Sequence, residues 1–161
     1  MEPRPYLIRQ LSPGGPPVDR TGIRTAADGD LPAMAEVLAE AYRGTVDDEG
    51  EDAAAALREL RSTAAGAYGP ALRQAWLVHE EDGRLTAAVL CTRWQGRPFV
   101  AQAITHPRDQ RRGLSTRLLG TAAEVLAAAG ETQLSLVVTR RNPAHALYRR
   151  LGFVEAPWPV R

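Results

Sequence analysis

The sequence predicts an α+β fold: a mixed, mostly antiparallel central sheet of six to seven strands with about four helices against it. Three observations predict it. Short apolar runs crowd residues 75–105 and are broken by the tight-turn signals Glu81-Asp82-Gly83 and Gln95-Gly96-Arg97. From Leu114 the period changes, with Leu114, Leu118, Leu119, Ala122, Val125, Leu126 and Ala129 recurring at helical spacing. A five-residue apolar run, residues 134–138, then follows as a buried strand would.

At 161 residues the chain is about one domain, long enough to bury a core. A net charge of +1 gives no overall steering toward nucleic acid or an anionic membrane. The arginine pairs Arg111-Arg112, Arg140-Arg141 and Arg149-Arg150 form no aromatic-interleaved basic face, so nucleic acid is not expected as a partner. Cys91 is the single cysteine, which excludes an internal disulfide, and it sits in an apolar run as a small core residue. The three histidines lack metal-ligand spacing, so no metal is expected. The N-terminus carries no signal-peptide pattern and no run approaches the ~18 apolar residues of a membrane span, which points to the cytoplasm.

In order, residues 1–20 read as an N-terminal arm and a proline-glycine linker, with a short strand at residues 6–11. Residues 21–161 read as a single domain. A strand at 22–25 precedes Asp30, the cap of a helix over 31–43, with Leu31, Met34, Leu38, Ala41 and Tyr42 on one face. An acidic loop, residues 44–52, leads to an alanine-rich helix over 53–65. Strands at 75–80, 84–94 and 98–105 form an antiparallel meander. Gly130 stops the helix that starts at 114. Asn142-Pro143 opens another helix, with Asn as cap and Pro in the first turn. Gly152 ends it, and residues 153–157 start a last short strand.

Two segments carry chemistry. Between His106 and Leu118 a strand ends, a loop holds Pro107, Arg108, Gln110, Arg111, Arg112 and Gly113, and a helix begins. First-turn amides have no intrahelical partners, and the helix dipole places about half a positive charge there. Arg108, Arg111, Arg112 and Arg117 add formal charge, and Gly113 lets backbone approach a ligand closely. A diphosphate suits such a place. Downstream, Asn142-Pro-Ala-His-Ala-Leu-Tyr148-Arg-Arg-Leu-Gly-Phe153 sets a tyrosine hydroxyl on the next helix.

Together these segments resemble the GNAT superfamily of N-acetyltransferases. Its phosphate loop usually runs Arg or Gln, two variable residues, Gly, one variable residue, then Gly or Ala; Ser115 stands at the last small position here. The resemblance covers about residues 22–157 and is strongest over 99–153. It implies an acyl-CoA N-acyltransferase-like fold with acetyl-CoA as co-substrate. It also implies direct attack of a primary amine, small-molecule or peptidyl, on the thioester in a ternary complex. By the same resemblance Gln110, Arg111, Arg112, Gly113, Leu114, Ser115 and Thr116 hold the coenzyme diphosphate. The strand before the loop is splayed from its neighbour in this family, so a backbone amide at Ile104 or Thr105 stabilises the oxyanion. Tyr148 protonates the departing thiolate. Asn142 lies six residues before Tyr148 where the family more often has seven, and it reads as a helix cap or as a coenzyme ligand.

For the acceptor, a lysine-like amine is neutral in only about one molecule in 2500 at pH 7, so deprotonation accounts for about 4.6 kcal/mol of barrier without help. Glu80, at the end of its strand, is the first candidate base, and the carboxylates Asp47, Asp48 and Glu49 are the others. Asp47, Asp48 and Glu49 in the acidic loop are candidates to draw in a cationic acceptor. Gln102 stands where some relatives carry a glutamate base and cannot do that work. His79 points away from Glu80 by strand alternation, while His106 and His145 flank the cofactor segment. Trp76 and Trp94 are core or cleft wall. A non-catalytic acyl-CoA-binding sensor or interaction module is the alternative. Relatives finish with one more strand after Gly-Phe, and Pro157 and Pro159 oppose one here. Residues 6–11 are therefore expected to supply the missing edge, in their own subunit or across a homodimer.

Overall fold

The computed structural model describes residues 4–159. Strand β1 (Tyr6–Gln10) leads through the linker to β2 (Ile23–Thr25) and then to helices α1 (Leu31–Tyr42) and α2 (Ala53–Ala64). The meander of β3 (Leu77–Glu81), β4 (Arg84–Trp94) and β5 (Arg97–Thr105) follows. Helix α3 (Leu114–Ala128), β6 (Gln133–Val137), α4 (Ala144–Arg150) and β7 (Val154–Ala156) complete the chain. The strands make one sheet in the order β2-β3-β4-β5-β6-β1-β7, parallel at the β5–β6 junction alone among the described residues. The mixed α+β architecture expected from the sequence is the one that forms.

Both hairpins of the meander have two-residue turns in left-handed backbone, Asp82 (φ 52°) with Gly83 (φ 74°) and Gln95 (φ 52°) with Gly96 (φ 77°). That handedness matches the twist of the flanking strands. Period-two alternation then divides the core. Val78, Ala88, Leu90 and Ile104 face α1 and α2, against Met34, Leu38 and Leu60. Leu77, Val89, Cys91 and Val100 face α3, against Leu118, Leu119 and Leu126. Trp76 is fully buried on the first side, its indole N–H donating to the Cys91 carbonyl at 2.8 Å. Cys91 is core, and burial pushes its thiol up to about 12. Among the described residues no helix is long and apolar enough to cross a membrane.

The N-terminal segment corrects one expectation. β1 does not extend an edge; it lies between β6 and β7, antiparallel to both, with Tyr6 opposite Val137 on one side and Ala156 on the other. Tyr6 and Leu7 are buried. The pairing is made within the same chain, and β7 is the edge strand on this side of the sheet. The linker is also held, because the Val18 amide donates to Glu124 at 3.1 Å and Arg117 donates to the Asp19 and Thr21 carbonyls. The linker thus packs against α3.

Candidate active site

β5 and β6 share a single register pair, Phe99 with Ser135. The Ser135 hydroxyl, fully buried, donates to the Pro98 carbonyl at 3.0 Å and pins the vertex. Beyond that point the strands diverge and open a cleft of about 1390 Å³. Residues 100–105 of β5 form one wall, residues 136–139 the other. The His106 amide donates to the Thr86 carbonyl at 2.8 Å, toward β4. Amides alternate along a strand, so Ile104 also directs its N–H to β4 while Thr105 directs its own into the cleft. Of the two positions expected to serve an oxyanion, Thr105 has the right orientation and Ile104 contributes apolar wall.

The loop after β5 ends in a tight turn with two left-handed residues. Arg111 (φ 65°) and Gly113 (φ 74°) are left-handed, and outside the two hairpins Arg111 is the one non-glycine residue so placed among those described. That conformation costs a side-chain-bearing residue about 1–2 kcal/mol, which marks the turn as held for a purpose. No side chain caps α3 at Gly113, and the Arg117 amide makes the first intrahelical bond, to the Gly113 carbonyl at 3.1 Å. The amides of Leu114, Ser115 and Thr116 thus face the cleft side of the helix start, which these residues line together with Gln110 and Arg111. A Cβ built on Gly113 would meet nothing within 4 Å.

Asp109 braces this loop from beneath. It is 3% exposed, and its carboxylate takes both Arg84 nitrogens, at 2.8 and 3.0 Å, and Arg112 at 3.0 Å. The Arg84 hydrogen bonds hold its pKa below the usual carboxylate value. Arg112 also reaches Glu81 at 2.9 Å. Its side chain is therefore a strut, not a phosphate ligand, and Arg117 is likewise committed to the linker carbonyls. Arg108 lines a separate groove, so of the four arginines counted in this region Arg111 alone lines the cleft. Ser115 and Thr105 share a hydroxyl–hydroxyl hydrogen bond of 3.0 Å that ties the helix start to the strand end.

Helix α4 brings Tyr148 to the cleft wall, 9% exposed and packed edge-on against Phe153. Burial, and next the proximity of Tyr42, raise its pKa, so the phenol keeps its proton. Asn142 accepts the Ala144 amide at 2.9 Å, the capping role, and its Nδ2 donates to Asp47 at 2.9 Å. Asp47 also receives the Thr139 hydroxyl at 2.7 Å.

The acidic loop does line the cleft, though its carboxylates are not equivalent. Asp47 is occupied as described. Asp48 accepts the Gly44 and Gly50 amides at 2.8 Å each, which lower its pKa and brace the loop. Glu49 is left facing the cleft, joined by Glu51 and Glu59, which sequence reasoning missed. Burial and then the neighbouring Glu49 and Glu59 raise the Glu51 pKa. Tyr68 donates to Glu59 at 2.8 Å, Tyr42 donates to Gln102 at 3.4 Å, and Arg4 and Arg150 also line the cleft. Trp94, Phe99 and Trp158 form an aromatic wall, with Tyr6 against both tryptophans. Nothing in their spacing foretold this group, because strand pairing and the C-terminal segment assemble it.

The model of the acetyltransferase (GNAT) family matches residues 31–153, from the start of α1 to the Gly-Phe that follows α4. This chain belongs to the GNAT family. A GCN5-related N-acetyltransferase from Sphaerobacter thermophilus superposes with a TM-score of 0.71 at 23% identity, over 97% of this chain and 50% of that one. A GNAT-family protein from Novosphingobium aromaticivorans gives 0.61 at 26% identity, over 96% of this chain and 61% of that one. A GNAT acetyltransferase from Brucella melitensis, solved in complex with acetyl-CoA, gives 0.62 at 18% identity, over 86% and 90%. The chain thus spans half of the Sphaerobacter protein and about three fifths of the Novosphingobium one. No curated protein matches it.

Against the GNAT frame, Glu80 is displaced from its expected role. It lies outside the cleft wall and pairs with Arg24 at 3.0 Å, which also holds Asp30 at 2.8 Å. Strand alternation, disturbed by a bulge between His79 and Glu80, carries it to the β2 edge. His79 is buried against Thr86 at 2.5 Å, and His106 accepts the Arg108 amide at 3.1 Å. His145 stands 3.9 Å from Glu155. None of the three lines the cleft. Among the described residues no group of His, Cys, Asp or Glu is arranged to hold a metal ion.

Proposed function

We propose that this chain transfers an acetyl group from acetyl-CoA to a primary amine by direct attack within a ternary complex. The observation that carries the reading is the β5–β6 junction: one register pair, then two diverging strands whose gap leads to an uncapped helix start. The residues fit the cofactor. Left-handed Arg111 and Gly113 turn the loop, open space fronts Gly113, and the amides of residues 114–116 suit a diphosphate. The acetyl-CoA complex of the Brucella neighbour supports the same assignment. When bound, acetyl-CoA supplies an activated acyl group on a thiol leaving group.

The chain's own groups then divide the work. The Thr105 amide donates to the developing oxyanion, a contact worth about 3 kcal/mol of barrier. Tyr148 holds a proton for the thiolate, whose ordinary pKa is about 8.5. Burial raises the tyrosine above its usual value, and a thiolate in the same dry environment is raised too, so positioning decides the transfer. Glu49, Glu51 and Glu59 draw in a cationic amine, and Glu51, with its heightened proton affinity, is placed to take the amine's proton. Cys91 is buried on the α3 side of the sheet and forms no acyl-enzyme.

A calorimetric titration with coenzyme A should give heat with one-site stoichiometry, and acetyl-CoA with a panel of primary amines should release thiol. A flat titration together with no thiol release from any amine overturns the proposal.

A further inference from the structure

Asp47 is where the acceptor side of the cleft grips the cofactor side. It sits in the loop between α1 and α2, while its partners Thr139 and Asn142 are 92 and 95 residues further along, between β6 and α4. One carboxylate oxygen accepts from Thr139 at 2.7 Å, the other from Asn142 at 2.9 Å. Because Asn142 Oδ1 already accepts the Ala144 amide, its amide group is fixed with Nδ2 toward Asp47. The loop is also rigid within itself. Asp48 holds the Gly44 and Gly50 amides, and the Thr45 hydroxyl donates to the Tyr42 carbonyl at 2.8 Å. A loop so braced moves as one piece, and Asp47 is its fastening to the other side.

We infer that Asp47 is a positioning residue that latches residues 44–52, and with them Glu49 and Glu51, against the start of the helix that carries Tyr148. Each of its oxygens holds one neutral donor and keeps a lone pair, so fastening is separated from binding the acceptor ammonium by the variants below and not by the contacts alone. Glu49, Glu51 and Glu59 make no ion pair among the described residues and keep that role. The inference rests on the acetyltransferase reading for its kinetic consequence, though the latch itself is a physical contact that can be measured without turnover.

Three variants test it. Asp47→Asn keeps both links, since an asparagine oxygen accepts from Asn142 while its nitrogen donates to the Thr139 hydroxyl. Asp47→Ala keeps neither, and Thr139→Val removes one. Tryptic cleavage after Arg43 under native conditions, followed by mass spectrometry, should speed up roughly tenfold in Asp47→Ala, less in Thr139→Val, and little in Asp47→Asn. In turnover, Asp47→Ala should lower kcat/KM for the amine about tenfold while the coenzyme A Kd stays within about twofold. Asp47→Asn should recover most of that loss. Adding Thr139→Val to Asp47→Ala should cost nothing further. Equal cleavage rates in all variants would abolish the latch. An acceptor KM raised as much by asparagine as by alanine would make Asp47 a charged ligand instead. If the native protein acetylates no amine, the acetyltransferase reading falls alone and the cleavage rates still decide the latch.

Discussion

Helix α2 begins with Asp52 holding the Ala55 amide at 2.9 Å, α4 begins with Asn142 holding the Ala144 amide at 2.9 Å, and α3 begins at Gly113 with no side-chain acceptor. All three face the same requirement, a first turn of amides without intrahelical partners. A cap contributes about 1 kcal/mol to a helix. α3, the longest of the three, forgoes it at the very turn that borders the cleft. Its stability comes instead from a buried stripe of Leu118, Leu119, Ala122 and Leu126. Among these three the two helices that position side chains take a side-chain cap, and the one that borders the cleft with its backbone does not. α1 also lacks such a cap, but it opens directly on the 3₁₀ turn Asp28–Asp30 and so stands outside this choice.

The largest effect is expected from blocking the open start. Gly113→Trp puts an indole where the Cβ direction is empty and forces left-handed backbone on a bulky residue. Coenzyme A binding should weaken by at least about a hundredfold in calorimetry, with far-ultraviolet circular dichroism retained, because the α3 stripe is untouched. Wild-type affinity in that variant would remove this turn from the site. Next in size is the capped helix. Tyr148→Phe keeps the packing against Phe153 and deletes the hydroxyl. kcat should fall about a hundredfold while KM for acetyl-CoA holds within about twofold, and a full-rate variant would take the tyrosine out of the mechanism.

A smaller effect tests whether the open turn needs its brace. Asp109→Asn leaves Arg84 without a charged partner and Arg112 with Glu81 alone, and should cost about 2 kcal/mol of stability and several-fold in coenzyme A affinity. The sign of its pH dependence follows from the lowered pKa. The unfolded carboxylate titrates near 3.8, and the folded one below that. The wild-type advantage is therefore full above about pH 4 and lost as pH falls through the folded value. Urea titrations of the two proteins should differ by a constant amount from pH 5 upward and converge in stronger acid. A gap that widened in acid would mean another group is responsible.

What the sequence made legible follows the range of the interactions involved. Periodicity, turn residues and glycine punctuation report contacts within a few residues, and they located the meander, α1, α2, α3 and the loop before α3 to within one or two positions. Pairing between distant segments was another matter. The segment at residues 6–11 read as a strand in search of an edge, yet β1 fits between β6 and β7, because alternation specifies a strand's faces and not its neighbours. Glu80 read as a base because it ends a strand near the right place, and only the pairing of β2 with β3 shows that it meets Arg24. Asp47 read as a ligand by charge, and its partners at positions 139 and 142 make it a fastener; the charge of Arg112, counted toward an anion, is committed to positions 81 and 109. Charge in a sequence names a capability; the partner across the fold decides its use.

The smallest effect isolates the comparison itself. Asp52→Ala removes the α2 cap at an exposed position outside the cleft wall. Loss of a carboxylate cap should cost about 1 kcal/mol, a fall of about 2–4 °C in Tm for a domain of this length. Coenzyme A affinity should not change, since α2 contributes neither amide nor side chain to the phosphate turn. That outcome gives the energy α3 goes without and shows it to be separable from binding. A drop in affinity matching the drop in stability would instead mean that the cap of α2 and the open start of α3 are coupled, and the division between capped and presenting helices would not hold.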